Sequence, residues 1–143
     1  MTIQNIIAGR DFPVISCTSD LPVREAVALL ADKRIGAMPV LDSKGAVLGL
    51  FSERDVIRCL KRNGNDTLDI TVADAMTSPA ITIPPASTVN EALALMTHRR
   101  VRHLPVVEAG RIVHFVSIGD LVKYKIDAIE GEARAMRDYI RSS

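Results

Sequence analysis

The feature that most constrains this chain is a pattern it carries twice. Gly49-Leu50-Phe51-Ser52-Glu53-Arg54-Asp55 ends a short apolar stretch in a serine, with an aspartate three residues on. His114-Phe115-Val116-Ser117-Ile118-Gly119-Asp120 repeats this 65 positions later. Upstream the match continues at an offset of 66. Pro13 and Ile15 meet Pro79 and Ile81. Val23, Glu25, Ala26, Ala28 and Leu29 meet Val89, Glu91, Ala92, Ala94 and Leu95. Arg34, Pro39 and Val40 meet Arg100, Pro105 and Val106. The register slips by one residue between Asp42-Ser43-Lys44-Gly45 and Glu108-Ala109-Gly110, which read as turns, where chains tolerate deletion. Each copy is about 50 residues, too small to bury an adequate core alone. Two copies about a pseudo-twofold axis are expected to share one core.

Within a copy, the residue types dictate an α+β order, strand-helix-strand-strand-helix. Pro13 to Cys17 reads as a short strand. Ser19 or Asp20 is the expected cap of a helix from Pro22 to Lys33, with Val23, Ala26, Val27, Leu30 and Ala31 as its apolar stripe. Gly36 is expected to break it. Ala37 to Leu41 and Ala46 to Phe51 form a hairpin, although Pro39 can donate no ladder hydrogen bond and so belongs at an edge or opposite something other than a strand. Ser52 opens a second helix to about Lys61. Thr2 is expected to cap a short helix through Ile3, Ile6 and Ile7 that Gly9 stops. The expected organisation is a first unit over 1–62 with this N-terminal helix, a polar linker over 63–71 centred on Arg62-Asn63-Gly64-Asn65-Asp66, a second unit over 72–126, and a helical tail over 127–143. In the tail Ile126, Ile129, Ala133, Met136 and Ile140 recur at three- and four-residue spacing, an apolar stripe that needs a partner surface, and Gly131 is a potential interruption.

Composition narrows the class. Hydrophobic residues make up 48% of 143 residues, enough for a real core. With five Phe and Tyr and no Trp, that core must be aliphatic. A net charge of +1 points to no polyanionic partner. Cys17 and Cys59 lack metal-type spacing and read as reduced. The N-terminus has no basic segment leading into a continuous apolar run, and no apolar run approaches the roughly 20 residues of a membrane span. A cytoplasmic protein is expected.

Three features together resemble one family: the double repeat, Ala37-Met38-Pro39-Val40-Leu41 echoed by His103-Leu104-Pro105-Val106-Val107, and the closing motif Gly-hydrophobic-any-Ser-any-any-Asp. Over roughly residues 10 to 126 the chain is similar to a tandem pair of cystathionine-beta-synthase-type regulatory domains (CBS domains, together a Bateman module), in a small stand-alone bacterial form. The resemblance implies a non-enzymatic sensor of adenosine-containing ligands (AMP, ADP, ATP, S-adenosylmethionine or NAD(H)), bound in two clefts between the units and serving energy or redox sensing. It also implies a flat homodimer and, as no output domain is apparent, a separate regulated protein.

Residue by residue, the resemblance gives Asp55 and Asp120 the ribose hydroxyls, which a carboxylate with two acceptor oxygens can satisfy. On spacing alone each is also simply an acid in the first turn of a helix, favoured by the dipole. Ser52 and Ser117 are good N-caps; the family brings this residue close to ribose or phosphate. Around the adenine the resemblance places Val14, Ile15, Gly36, Ala37 and Met38 for the Asp120 cleft, and Ala80, Ile81, Arg102 and Leu104 for the Asp55 cleft, all of which are equally ordinary packing residues. Arg102 and His103 are candidate phosphate contacts, with His103 beside the Asp120 cleft. Nucleic-acid binding is not expected, for want of an aromatic platform. Nor is a metal: His114 is expected to pair near Leu104, which points it away from His103. His114 stands where the first copy has Gly49, so the two clefts are expected to differ. The competing class is a dimerisation module with vestigial nucleotide sites. An enzyme is disfavoured, since only His103 offers a general base.

Overall fold

A computed structural model of the chain describes residues 1–8 and 13–142. Gly9 lies outside the described residues. The elements run α1 (Ile3–Ile7), α2 (Val23–Lys33), β1 (Ala37–Leu41), β2 (Val47–Ser52), α3 (Glu53–Asn63), a 3-10 helix (Gly64–Asp69), α4 (Val72–Ala75), α5 (Val89–Arg99), β3 (His103–Glu108), β4 (Arg111–Ser117) and α6 (Ile118–Ser142). The repeat is carried into three dimensions. Each copy contains one antiparallel hairpin, β1–β2 or β3–β4, with a bulge at the equivalent place, Val40/Leu41 and Val106/Val107. Arg34 and Arg100 both end their helices in the left-handed region, at φ 55° and 56°. Ile35 and Val101 then donate their N–H groups to the carbonyls of Leu30 and Met96, the return bond that closes a helix C-terminus. The helix before Gly36 therefore stops at the left-handed Arg34, not at the glycine.

The expected first strand of each copy shrinks to a single parallel bridge. Cys17 N–H donates to the Pro39 carbonyl and Leu41 N–H to the Cys17 carbonyl; Ile83 does the same with Pro105 and Val107. The next rung would need an N–H from Pro39 or Pro105, which proline lacks. The ladder ends there, and Pro13 to Ser16 run beside the sheet as irregular backbone. The other edge of β2 is held by Thr77, which exchanges two hydrogen bonds of 2.9 Å with Leu50. Helix α2 follows Pro22, with no side-chain cap from Ser19 or Asp20. Helix α5 has the full box, with Thr88 and Glu91 bonding each other's backbone.

Among the described residues the units do not share one core; there are two. One gathers Val23, Ala26, Leu30, Met38, Val40, Phe51 and Cys59. The other gathers Val89, Ala92, Met96, Leu104, Val106, Val116 and Leu121. The short leading helices cross between them. Helix α1 precedes the first copy, yet Ile3 and Ile6 are buried in the second core, with Ile3 N–H on the Ser87 carbonyl. Helix α4 precedes the second copy, yet Val72 and Ala75 are buried in the first, with Val72 N–H on the Leu21 carbonyl. Burying an isoleucine is worth roughly 1.5–3 kcal/mol, so α1 is a structural strap. The polar stretch at Arg62–Asp66 is ordered: it closes α3 and enters the 3-10 helix, where buried Thr67 bonds the Gly64 carbonyl. Gly131 does not interrupt α6, which is continuous over 25 residues. Among the described residues no helix is long and apolar enough to cross a membrane.

Candidate functional site

Both repeated motifs fold into a reciprocal cap. Ser52 Oγ accepts from Asp55 N–H at 3.4 Å, and Asp55 Oδ2 accepts from Ser52 N–H at 2.9 Å. Ser117 and Asp120 repeat this at 3.1 and 3.0 Å. The capping reading of these residues is therefore realised in both copies. The first N–H of each helix, on Glu53 and Ile118, donates to Gly36 and Arg102, the residues just before or at the start of the proline strand. That bond ties each motif to its own hairpin.

The two carboxylates then part company. Asp55 is buried, 2% exposed. Its Oδ2 takes Ser52 N–H and Ser52 Oγ–H; its Oδ1 takes Thr77 Oγ1–H at 2.8 Å and the Arg58 guanidinium. Four donors fill the roughly four acceptor positions of a carboxylate. Asp120 is half-buried and stands on the wall of a cleft between the units.

That cleft has a volume of about 210 Å³. Val14, Ile15 and Ala37 come from the first unit, with Ile35 beside them; Phe115 and His114 come from the second. Among the described residues its lining is apolar apart from Asp120 and His114. A second cleft of about 350 Å³ lies across Ala37, which walls both. Ser52, Glu53, Asp55 and Thr77 line it, and so does a basic set: Arg54, Arg58, Arg100, Arg102 and His103.

Of the residues singled out from sequence, Val14, Ile15, Ala37 and Asp120 come together as one group. Gly36 and His103, expected in that group, line the larger cleft with Asp55, Ser52 and Arg102. Met38 and Leu104 are fully buried in the two cores, and Ile81 packs against the second. Ala80 is half-buried and Ser117 caps α6; neither lines either of these two clefts. Sequence reasoning passed over Arg54 and Arg58, although Arg58 follows Asp55 by three positions on one helix face, a legible signal. Thr77 and Phe115 gave none, being brought in by tertiary contact alone. His114 pairs with Val106, not near Leu104, because the bulge shifts the register. It still faces away from His103, which pairs with Ser117 and stacks on Phe115 with centroids 5.3 Å apart. Among the described residues no group of three or more His, Cys, Asp or Glu is placed to hold a metal.

Burial pushes the Cys17 thiol up to about 11, so it keeps its proton at neutral pH. Burial also holds His103 below 6.5; Asp120 pulls it back up, Arg102 pushes it down and Glu53 pulls it up more weakly. A depressed imidazole binds protons better in the unfolded chain, so its contribution is fully present above pH 6.5 and is lost as pH falls from there through the lower folded value. Denaturant midpoints at pH 7.5 and 5.5 should fall further for wild type than for His103→Gln. Equal losses would show that His103 carries no part of the pH dependence.

Two units, each a capped helix following a proline-bearing hairpin, with clefts between them, define a paired-domain fold. The chain belongs to the CBS-domain family: the model of the CBS domain matches residues 9–62 and 72–127. It is 33% identical over 129 residues, 87% of its length, to the mitochondrial CBS domain-containing protein CBSX3 of Arabidopsis thaliana, and it spans 63% of that protein. It superposes on the crystal structure of a CBS-domain containing protein from Agrobacterium tumefaciens with a TM-score of 0.81 and 34% identity, covering 87% of this chain and 92% of that one. It shares the fold of CBSX2, solved in complex with AMP, with a TM-score of 0.75, 23% identity, and coverage of 89% and 97%.

Proposed function

We propose that this chain is a non-enzymatic regulatory module that binds an adenosine nucleotide at the junction of its two clefts. AMP is the first candidate, with ADP, ATP and NAD(H) as the alternatives of the same chemistry. The adenine enters the apolar cleft of Val14, Ile15, Ala37 and Phe115, and Asp120 accepts from the ribose hydroxyls. The phosphate points across Ala37 to Arg54, Arg58, Arg100, Arg102 and His103. The observation that carries this reading is the adjacency, among the described residues, of an apolar cleft with Asp120 on its wall and a cleft in which Arg54, Arg58, Arg100, Arg102 and His103 stand with Glu53 and Asp55. Phosphate oxygens are met best by guanidinium forks. The Asp55 cleft is not a second equivalent nucleoside site, since a ribose there would have to displace Arg58 or Thr77 from Asp55. Binding changes the relative stability of arrangements of the two units, which only a ligand of differential affinity can do. The signal passes to a separate protein in the cytoplasm, and the working form is a homodimer.

The test is thermal unfolding of the purified protein, freed of carried-over nucleotide, with AMP, ADP, ATP, NAD, NADH and S-adenosylmethionine in turn. A ligand at about 100 times its dissociation constant adds roughly 2.7 kcal/mol, an upward shift of roughly 5–10 °C for a chain of this size. No shift with any of them would leave the second reading, an interaction module with vestigial sites. That reading is favoured by one observation, the saturation of Asp55 by its own neighbours.

A further inference from the structure

Helix α6 leaves the body after its first turns. Leu121 is buried and Tyr124, Lys125 and Ala128 are half-buried against it. About a quarter-turn round the helix, Val122, Ile126, Ile129 and Met136 are exposed, from 42% at Val122 to 61% at Met136. With Ala133 and Ile140 they step by 4, 3, 4, 3 and 4 residues, the a/d repeat of a left-handed coiled coil. Positions a are Ile126, Ala133 and Ile140; positions d are Val122, Ile129 and Met136. The outer positions hold Asp127, Gly131, Arg134 and Asp138, none of which needs burial.

The flanking charges choose the occupant and its direction. Position g holds Lys125 and Glu132; position e holds Lys123, Glu130 and Arg137. In a parallel pair each g faces the next e of the partner. Lys125 then meets Glu130 and Glu132 meets Arg137, both attractive and each made twice by symmetry. In an antiparallel pair e faces e and g faces g. Glu130 would meet Glu130, Glu132 would meet Glu132 and Lys123 would meet Arg137, all repulsive. Lys125 already reaches Asn90 on α5, and its ammonium has donors left for a carboxylate.

We propose that residues 122–142 pair in parallel with the same segment of a second copy of this chain as a short coiled coil. This goes beyond nucleotide binding and does not depend on it. Parallel pairing brings identical a positions face to face, so the full-length Ala133→Cys variant should become a disulfide-linked dimer under mild oxidation. Gly131→Cys, on the outer face, and the wild type with its buried cysteines should not. Glu132→Arg sets arginine against Arg137 and should weaken the dimer roughly tenfold in sedimentation equilibrium, with Glu132→Arg/Arg137→Glu restoring it. Absence of the Ala133→Cys cross-link, equal cross-linking of Gly131→Cys, or a dimer left unweakened by Glu132→Arg would overturn the proposal, the last in favour of antiparallel pairing, where glutamate facing glutamate simply becomes arginine facing arginine. A stripe that covers a different protein would fail the first of these tests.

Discussion

Asp120→Ala is expected to weaken AMP binding by roughly 10- to 150-fold, the equivalent of about 1.5–3 kcal/mol for hydrogen bonds to a charged acceptor, and to cost the fold about 0.5–2 kcal/mol through the lost cap on Ser117 N–H. Titration calorimetry on the variant measures the first, and its denaturation curve the second. Asp55→Ala should act mainly on stability. It removes the acceptor of four donors at a buried position, and an unsatisfied buried donor costs about 1–3 kcal/mol. The Arg58 side chain is 50% exposed and Thr77 is exposed as well, so water compensates both partners, and the loss comes mainly from the Ser52 amide and hydroxyl. The contrast is diagnostic: full AMP affinity in Asp120→Ala would remove the ribose role from that residue and with it the proposed orientation of the nucleotide.

Gly49→Ala should destabilise the protein by about 1–3 kcal/mol or more, the usual range for forcing an atom into packed surroundings. A methyl group there would stand 2.6 Å from the Thr77 carbonyl, 3.1 Å from Met76 Sδ and 3.3 Å from Ser78 Cβ. The Thr77 carbonyl cannot simply swing aside, since it accepts from Leu50 N–H. The same movement would disturb Thr77 Oγ1 on Asp55. Equilibrium urea unfolding reads the loss, and an unchanged midpoint would mean that the segment over Gly49 is loosely held. In the second copy the equivalent residue is His114, 8% exposed and on the wall of the Asp120 cleft. The glycine of the first copy is thus explained by a strand edge passing over it, and the different neighbours of the second copy make the two clefts unlike.

Much of this protein is local and could be read from spacing. The repeat, the hairpins with turns at Gly45 and Gly110, the caps at Ser52 and Ser117 and the apolar faces of α2 and α5 each depend on residues within a few positions of one another. Backbone sterics and hydrogen-bond geometry decide such features wherever the segment lies. The group of Val14, Ile15, Ala37 and Asp120 was legible only through the family resemblance, which sets the first strand of one unit against the motif aspartate of the other.

Tertiary structure alone decided the rest. Periodicity says that Ile3 and Ile6 need burial, but not that the second core receives them while Val72 and Ala75 fill the first. Spacing makes Asp55 and Asp120 equals; Thr77, 22 residues away in sequence, makes them different. His103 and Gly36 line the larger cleft because the packed units bring them to one wall, which no single strand encodes. The reason is common to all three. The hydrophobic effect is non-directional, so an apolar face or a polar side chain specifies what kind of partner it needs, and only the packed chain determines which one it meets.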